Sequence, residues 1–130
     1  MKALLDTHAF LWWINQHERL SAAARDAIDS PQTDTFVSVV NAWEIVIKAK
    51  VGRFQMPGDL VPFLREQIAA NEFGVLPVQL THALGVYNLS DHPRHKDPFD
   101  RLLVAQALAE DMALVSADES LDGYGVERIW

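Results

Sequence analysis

The chain has 130 residues, 49% of them hydrophobic and 22% charged, with a formal net charge of −7 and no cysteine. This describes a single globular domain over residues 1–130, and it excludes disulfides, thiolate zinc sites and cysteine nucleophiles. An acidic chain is also a poor general polyanion binder, so work on nucleic acid would require local basic patches or bound cations.

The elements follow in chain order. Residues 2–5, KALL, read as a buried strand ending at Asp6. Residues 7–16, THAFLWWINQ, read as a helix with Thr7 as its cap. Asp6 interrupts the apolar start too early for a signal peptide, and no apolar run approaches the ~20 residues that span a bilayer. The expectation is a cytoplasmic protein with no membrane contact. In RLSAAARDAIDS, Ser21 is a good N-cap and the alanines favour helix. TFVSVV, residues 35–40, is β-branched and reads as the second strand. Asn41 is then expected to cap the helix AWEIVIKAKV, with Gly52 ending it.

Residues 59–72 read as a helix with Pro62 tolerated near its start. GVLPV is a short strand, and THALGVYNL a helix weakened by its glycine. After the polar loop SDHPRHKD, residues 98–111 give the strongest helical pattern, with apolar positions 99, 102, 103 and 107 on one face. MALVS is a strand, ADESLDGYG a turn, and VERIW a last short strand. Short apolar strands alternating with longer helices predict a parallel sheet covered on both faces.

Ligands of open parallel sheets sit at the carboxyl ends of the strands. Asp6 follows the first strand and Asp118 follows MALVS. Each alone reads more readily as a turn residue. Glu44, three residues after Asn41, fits a variant capping box, yet also lies one turn into a helix that starts where a strand ends. Asp97 before Pro98 is a helix N-cap, and Asp100 then stands at the third helical position, where the helix dipole favours an anion. One acid suffices to cap, so the second is surplus. Four carboxylates, Asp6, Glu44, Asp100 and Asp118, thus map to element ends that can share one sheet edge. Without cations they would repel one another. Hard ions such as Mg²⁺ or Mn²⁺ prefer such oxygen donors, and a pair of them supports phosphodiester cleavage.

The stretches LLDTHAFLWW, SVVNAWEIVIKAKVGR, HKDPFDRLLVAQA and LVSADESLDGYGVERIW, in this order, resemble the PIN-domain proteins of the VapC type. The resemblance implies a three-layer α/β/α fold around a central parallel sheet. It implies a Mg²⁺- or Mn²⁺-dependent endoribonuclease, the toxin of a toxin–antitoxin pair, neutralised by a VapB-type antitoxin and acting as a homodimer. The family's four acids map to Asp6, Glu44, Asp100 and Asp118, as catalytic and metal-binding residues. Its hydroxyl residue two positions before the last acid, usually Thr, is Ser116 here. Asp97 belongs to the subgroup's DPFDR pattern and is read as a cap that supports the site.

Other readings remain beside this one. Asp6-x-His8 also occurs in dinuclear metallophosphatases, but their downstream Gly-Asp and Gly-Asn-His motifs are missing. A dehalogenase-like phosphatase would carry Asp at position 8, and a phospho-accepting receiver domain would carry paired acids early and a lysine late. His8 is read as groove-lining or structural, and Trp12 and Trp13 as core or subunit contact. Lys48, Lys50 and Arg53 near Glu44, and Arg94, His95, Lys96 and Arg101 near Asp100, are either scattered surface charge or contacts to RNA phosphates. Arg101 is alternatively a partner for an acid of the site. The rival to an enzyme is a PIN-fold module that binds RNA or protein with little or no turnover.

Overall fold

The computed structural model describes residues 1–56, 58–91 and 97–130. Five parallel strands, β1 (Lys2–Leu5), β2 (Asp34–Ser38), β3 (Gly74–Leu76), β4 (Ala113–Val115) and β5 (Arg128–Ile129), form one sheet in the order β3-β2-β1-β4-β5. Six helices connect them: α1 (Thr7–Ile14), α2 (Ala22–Asp29), α3 (Val39–Lys50), α4 (Leu60–Ala70), α5 (Leu80–Gly85) and α6 (Pro98–Glu110). The order of strands and helices is the one expected from the sequence.

The central residues of the strands are mostly apolar because both sheet faces are covered. Ala3, Leu5, Val37 and Val115 face one way and pack with Phe10, Ala24, Ile28 and Leu64 from α1, α2 and α4. Leu4, Leu76 and Leu114 face the other way and pack with Leu103, Val104 and Ala107 of α6. The result is a three-layer α/β/α sandwich. Register pairs Ala3 with Thr35 on one side and with Ala113 on the other, so β1 lies between strands distant in sequence.

Two expected helix starts move. Asp6, not Thr7, caps α1, accepting the Ala9 N–H at 2.7 Å. Asn41 does not cap α3. Ser38 does, and Val39 and Val40 belong to the helix and not to β2. Strand-favouring valines are overruled by a reciprocal cap. The Ser38 hydroxyl accepts the Val40 N–H at 3.0 Å, and the Asn41 side chain accepts the Ser38 N–H at 2.7 Å. Glu44 consequently stands at the sixth helical position, not the third. The glycine-containing helix breaks at Gly85, where Val86–Asn88 continue as a 3-10 turn. A second 3-10 turn, Glu119–Tyr124, fills the segment expected to be a turn.

A buried chain of polar side chains links these layers. The Ser38 hydroxyl donates to Gln106 Oε1 at 2.6 Å. Gln106 Nε2 donates to the Pro77 carbonyl at 3.2 Å and lies 3.4 Å from His82 Nδ1. His82 Nδ1 also accepts the Gln79 N–H at 3.1 Å, so Nε2 carries the proton toward Glu110, 2.8 Å away. On the other side, Asn41 Nδ2 donates to the Thr7 hydroxyl at 3.1 Å. Ser38, Asn41, His82 and Gln106 are each at most 1% exposed. Buried polar groups are costly when unpaired, so removal of one member strands its neighbours. Gln106→Leu leaves the Ser38 hydroxyl and the Pro77 carbonyl without their partner and should lower stability by about 1–3 kcal/mol, read as a shift of the urea midpoint. An unchanged midpoint would mean that the chain of bonds carries no weight.

Candidate active site

From β1 the chain runs outward through β2 and β3 on one side, and it returns to β4 and β5 on the other. The reversal of strand order therefore lies between β1 and β4, the position where open parallel sheets hold ligands at their carboxyl edge. Asp6 and Asp118 flank that point. The Asp6 N–H donates to the Val115 carbonyl at 3.0 Å, which fixes the end of β1 to the end of β4.

Ser116 stands between the two acids. It is fully buried, its hydroxyl bonds the Asp6 carboxylate, and its Oγ accepts the Asp118 N–H at 3.1 Å. Asp118 caps the following 3-10 turn, accepting Ser120 N–H at 3.0 Å and Ser120 Oγ at 2.6 Å. Burial pushes the Asp6 carboxyl above the usual carboxylate range. The Ser116 hydroxyl, the Ala9 N–H and the nearby His8 imidazole act against that rise, and the charge of Glu44 adds to it.

Glu44 reaches the same edge from α3 and is 3% exposed. Its Oε1 accepts the Thr7 hydroxyl and its Oε2 binds the Lys48 ammonium. The Thr7 hydroxyl is itself held by Asn41, so the polar chain that sets the angle of α3 ends on this carboxylate.

Asp97 and Asp100 share the start of α6 and divide the work there. Asp97 Oδ1 accepts the N–H groups of Phe99 at 2.9 Å and Asp100 at 3.3 Å, and Pro98 supplies the first helical residue. Asp100, one turn in, is pushed up to about 7, first by burial and then by the charges of Asp97, Asp6, Glu44 and Asp118. Coulomb interactions fall with distance, so this set of neighbours places all four expected acids in one field, with Asp97 beside them. Arg101 turns elsewhere. Its Nη1 donates to the Tyr124 hydroxyl at 3.0 Å and its guanidinium lies 5.6 Å from that ring's centre.

The donor set suits a hard divalent ion: oxygen ligands, crowded negative charge, and an Asp100 carboxyl raised by burial and by its acidic neighbours. Among the described residues, however, no three His, Asp or Glu side chains close into a ready ion cage. Both Glu44 oxygens have partners within the chain.

Of the basic positions, Lys48 binds Glu44, while Lys50 and Arg53 are exposed. Arg94, His95 and Lys96 lie outside the described residues. His8 is exposed, with its ring 5.6 Å from Trp12 and 6.4 Å from Phe54. Trp12 packs on Trp130 and His17, and Trp13 Nε1 donates to Asn71 Oδ1 at 2.9 Å, so both tryptophans are used inside the fold. Reading the sequence missed Thr7 and Lys48 as partners of Glu44, and Asn41 as the residue that holds Thr7. The spacing of Glu44 and Lys48, one turn apart on a helix, was the signal available.

The comparisons with known proteins agree with this fold. The PIN domain family profile matches residues 3–126. Ribonuclease VapC22 of Mycobacterium tuberculosis is 31% identical over 121 residues, covering 93% of this chain and 90% of that protein. Among solved structures, VapBC2 from Rickettsia felis superposes with a TM-score of 0.72 at 12% identity, covering all of both chains. A toxin–antitoxin complex from Klebsiella pneumoniae superposes with a TM-score of 0.59 at 18% identity, covering 89% of this chain and 86% of that one. At such identities the solved structures speak for the fold, while the profile and the curated relative speak for ancestry. The chain therefore belongs to the PIN domain family and, within it, to the VapC-type proteins.

Proposed function

We propose that the chain is an endoribonuclease that hydrolyses RNA phosphodiester bonds with Mg²⁺ or Mn²⁺, and that it serves as the toxin of a toxin–antitoxin pair. The observation that carries the reading is the single field shared by Asp6, Glu44, Asp100 and Asp118 at the point of strand reversal. The name of the curated relative, a ribonuclease, supports the reaction class. The toxin–antitoxin complex that shares the fold supports a VapB-type antitoxin as partner. The homodimer is carried over from the family likeness.

The four acids would hold the ion. When bound, the ion supplies charge neutralisation at phosphorus and activation of the attacking water. The chain does the rest. Ser116 and the Ala9 N–H orient Asp6, Thr7 orients Glu44, and the Asp97 cap sets the register of Asp100. A phosphodiester is itself an anion, so the uncompensated acids would repel it. Lys50 and Arg53, on and after the helix that bears Glu44, offer charge for backbone contacts.

Three outcomes are expected. Purified protein should cleave RNA with Mg²⁺ or Mn²⁺ and stop in excess EDTA, and Asp6→Asn should lose at least about 100-fold in rate. Equal cleavage in EDTA would remove the metal mechanism, and tight RNA binding with no turnover in any metal would favour the binding module.

At the start of α6, Asp97→Ala should cost about 1 kcal/mol of stability and leave cleavage measurable. Asp100→Asn should fold normally and lose ion binding and cleavage. Similar activity losses in two well-folded variants would show that the roles are divided wrongly.

The pH dependence follows from Asp100. In the unfolded chain it loses its proton near 3.8, and in the ion-free folded chain at about 7. Between these values the folded state binds the additional proton, so stability falls as pH rises through this window and levels off above it. Asp6, also raised, acts in the same direction. The melting temperature of the ion-free protein should therefore drop between about pH 5 and pH 8, and Asp100→Asn should flatten that slope. A melting temperature that rises over this range in the native protein, or a slope that Asp100→Asn leaves unaltered, would contradict the assignment.

A further inference from the structure

Each of the two Glu44 oxygens has a side-chain partner within the chain. Thr7 takes Oε1 and Lys48 takes Oε2. The two contacts differ in kind. The Thr7 hydroxyl is neutral, buried, and fixed from behind by Asn41. The Lys48 ammonium is charged, and its side chain is 20% exposed against 4% for Glu44, so it covers the carboxylate from the solvent side.

A buried carboxylate needs a counter-charge. Lys48 supplies one from the same helix, one turn away. Its stem is flexible and its head is a compact cation, which suits it to leave and return. In this bound position Nζ also lies 5.8 Å from the centre of the Phe54 ring, whose face favours an ammonium and can keep that contact when Oε2 is released. Lys48 is thus placed to neutralise Glu44 when no metal does, and to vacate Oε2 when one arrives.

We propose that Lys48 is the built-in counter-cation of the acid cluster: its ammonium holds Glu44 Oε2 and exchanges with the divalent ion, while Thr7 keeps Oε1 oriented throughout. This rests on the ion-binding reading above and adds the competitor to it. Lys48 is a positioning residue here and touches no reacting atom.

Amine-reactive labelling followed by mass spectrometry tests the exchange on the whole ion-free protein. Lys48 should label slowly without Mn²⁺ and several-fold faster with it, while the exposed Lys2 and Lys50 label at constant rates. Calorimetry gives a second readout: Lys48→Met should bind Mn²⁺ about tenfold more tightly than the native chain, and Lys48→Arg should not. Labelling of Lys48 that stays constant or slows in Mn²⁺, or a Lys48→Met variant that binds no more tightly, overturns the exchange. Should Lys48→Met fail to fold without the ion, labelling of the native chain decides. Loss of Mn²⁺ binding in Asp6→Asn, with Lys48 intact, checks the ion site separately. A native chain that binds no Mn²⁺ brings down both.

Discussion

Ser38 closes β2 and opens α3, and most of what the molecule can do passes through that junction. Its N–H goes to Asn41, its hydroxyl accepts from Val40 and donates to Gln106, and its side chain is buried. The first two bonds fix where the helix begins, and the third fixes α3 against α6. Asn41 then passes the constraint to Thr7, and Thr7 to Glu44. A net hydrogen bond contributes only about 0.5–1.5 kcal/mol, but an unmade one in a dry interior costs more. The chain of bonds therefore acts less as adhesive than as a rule that admits one register. Shift α3 by a residue and Glu44 turns away from Asp6.

The carboxyl edge of the sheet works against the rest of the fold. Burial and mutual repulsion raise Asp6 and Asp100, which means that the ionised site opposes folding. The remainder of the molecule has to hold these groups in place, through apolar strands on two faces and a satisfied polar interior. Arg128 contributes at the periphery, pairing with Asp122 at 2.8 Å while its Nη1 supports the Ser116 carbonyl at 3.0 Å. A protein with this arrangement gives up stability at the carboxyl edge of its sheet.

The fold was legible because its strands are uninterrupted apolar runs between turn residues, a pattern that demands two covered faces. The start of α6 was legible because Asp97 and Pro98 are adjacent, and cap and first-turn preferences are local. The start of α3 was not. Val39 and Val40 extend the β-branched run, and only burial of Val40, together with the bond from Ser38 to the distant Gln106, draws them into the helix. The acids could be named as a set, since each follows a strand or opens a helix. Of their partners, Lys48 was readable from its one-turn spacing to Glu44, whereas Thr7 and Asn41 gain meaning only when α1 lies beside α3. Arg101 is a similar case: its neighbour Tyr124 comes from a 3-10 turn far along the chain.

The strand order has a consequence in time. β1 is made first and stands in the middle of the sheet, yet one of its two neighbours, β4, arrives with Ala113 opposite Ala3. A nascent chain can pair β1 with β2 and β3 early, because these lie on one side and follow in sequence. In that partial sheet Asp6 sits on an open edge, with neither Ser116 nor Asp118 beside it. Long-range parallel pairing is slow, and here it is also last. The acid cluster thus comes into being only when β4 and the turn bearing Asp118 join β1, so closure of the sheet and assembly of the site are one event.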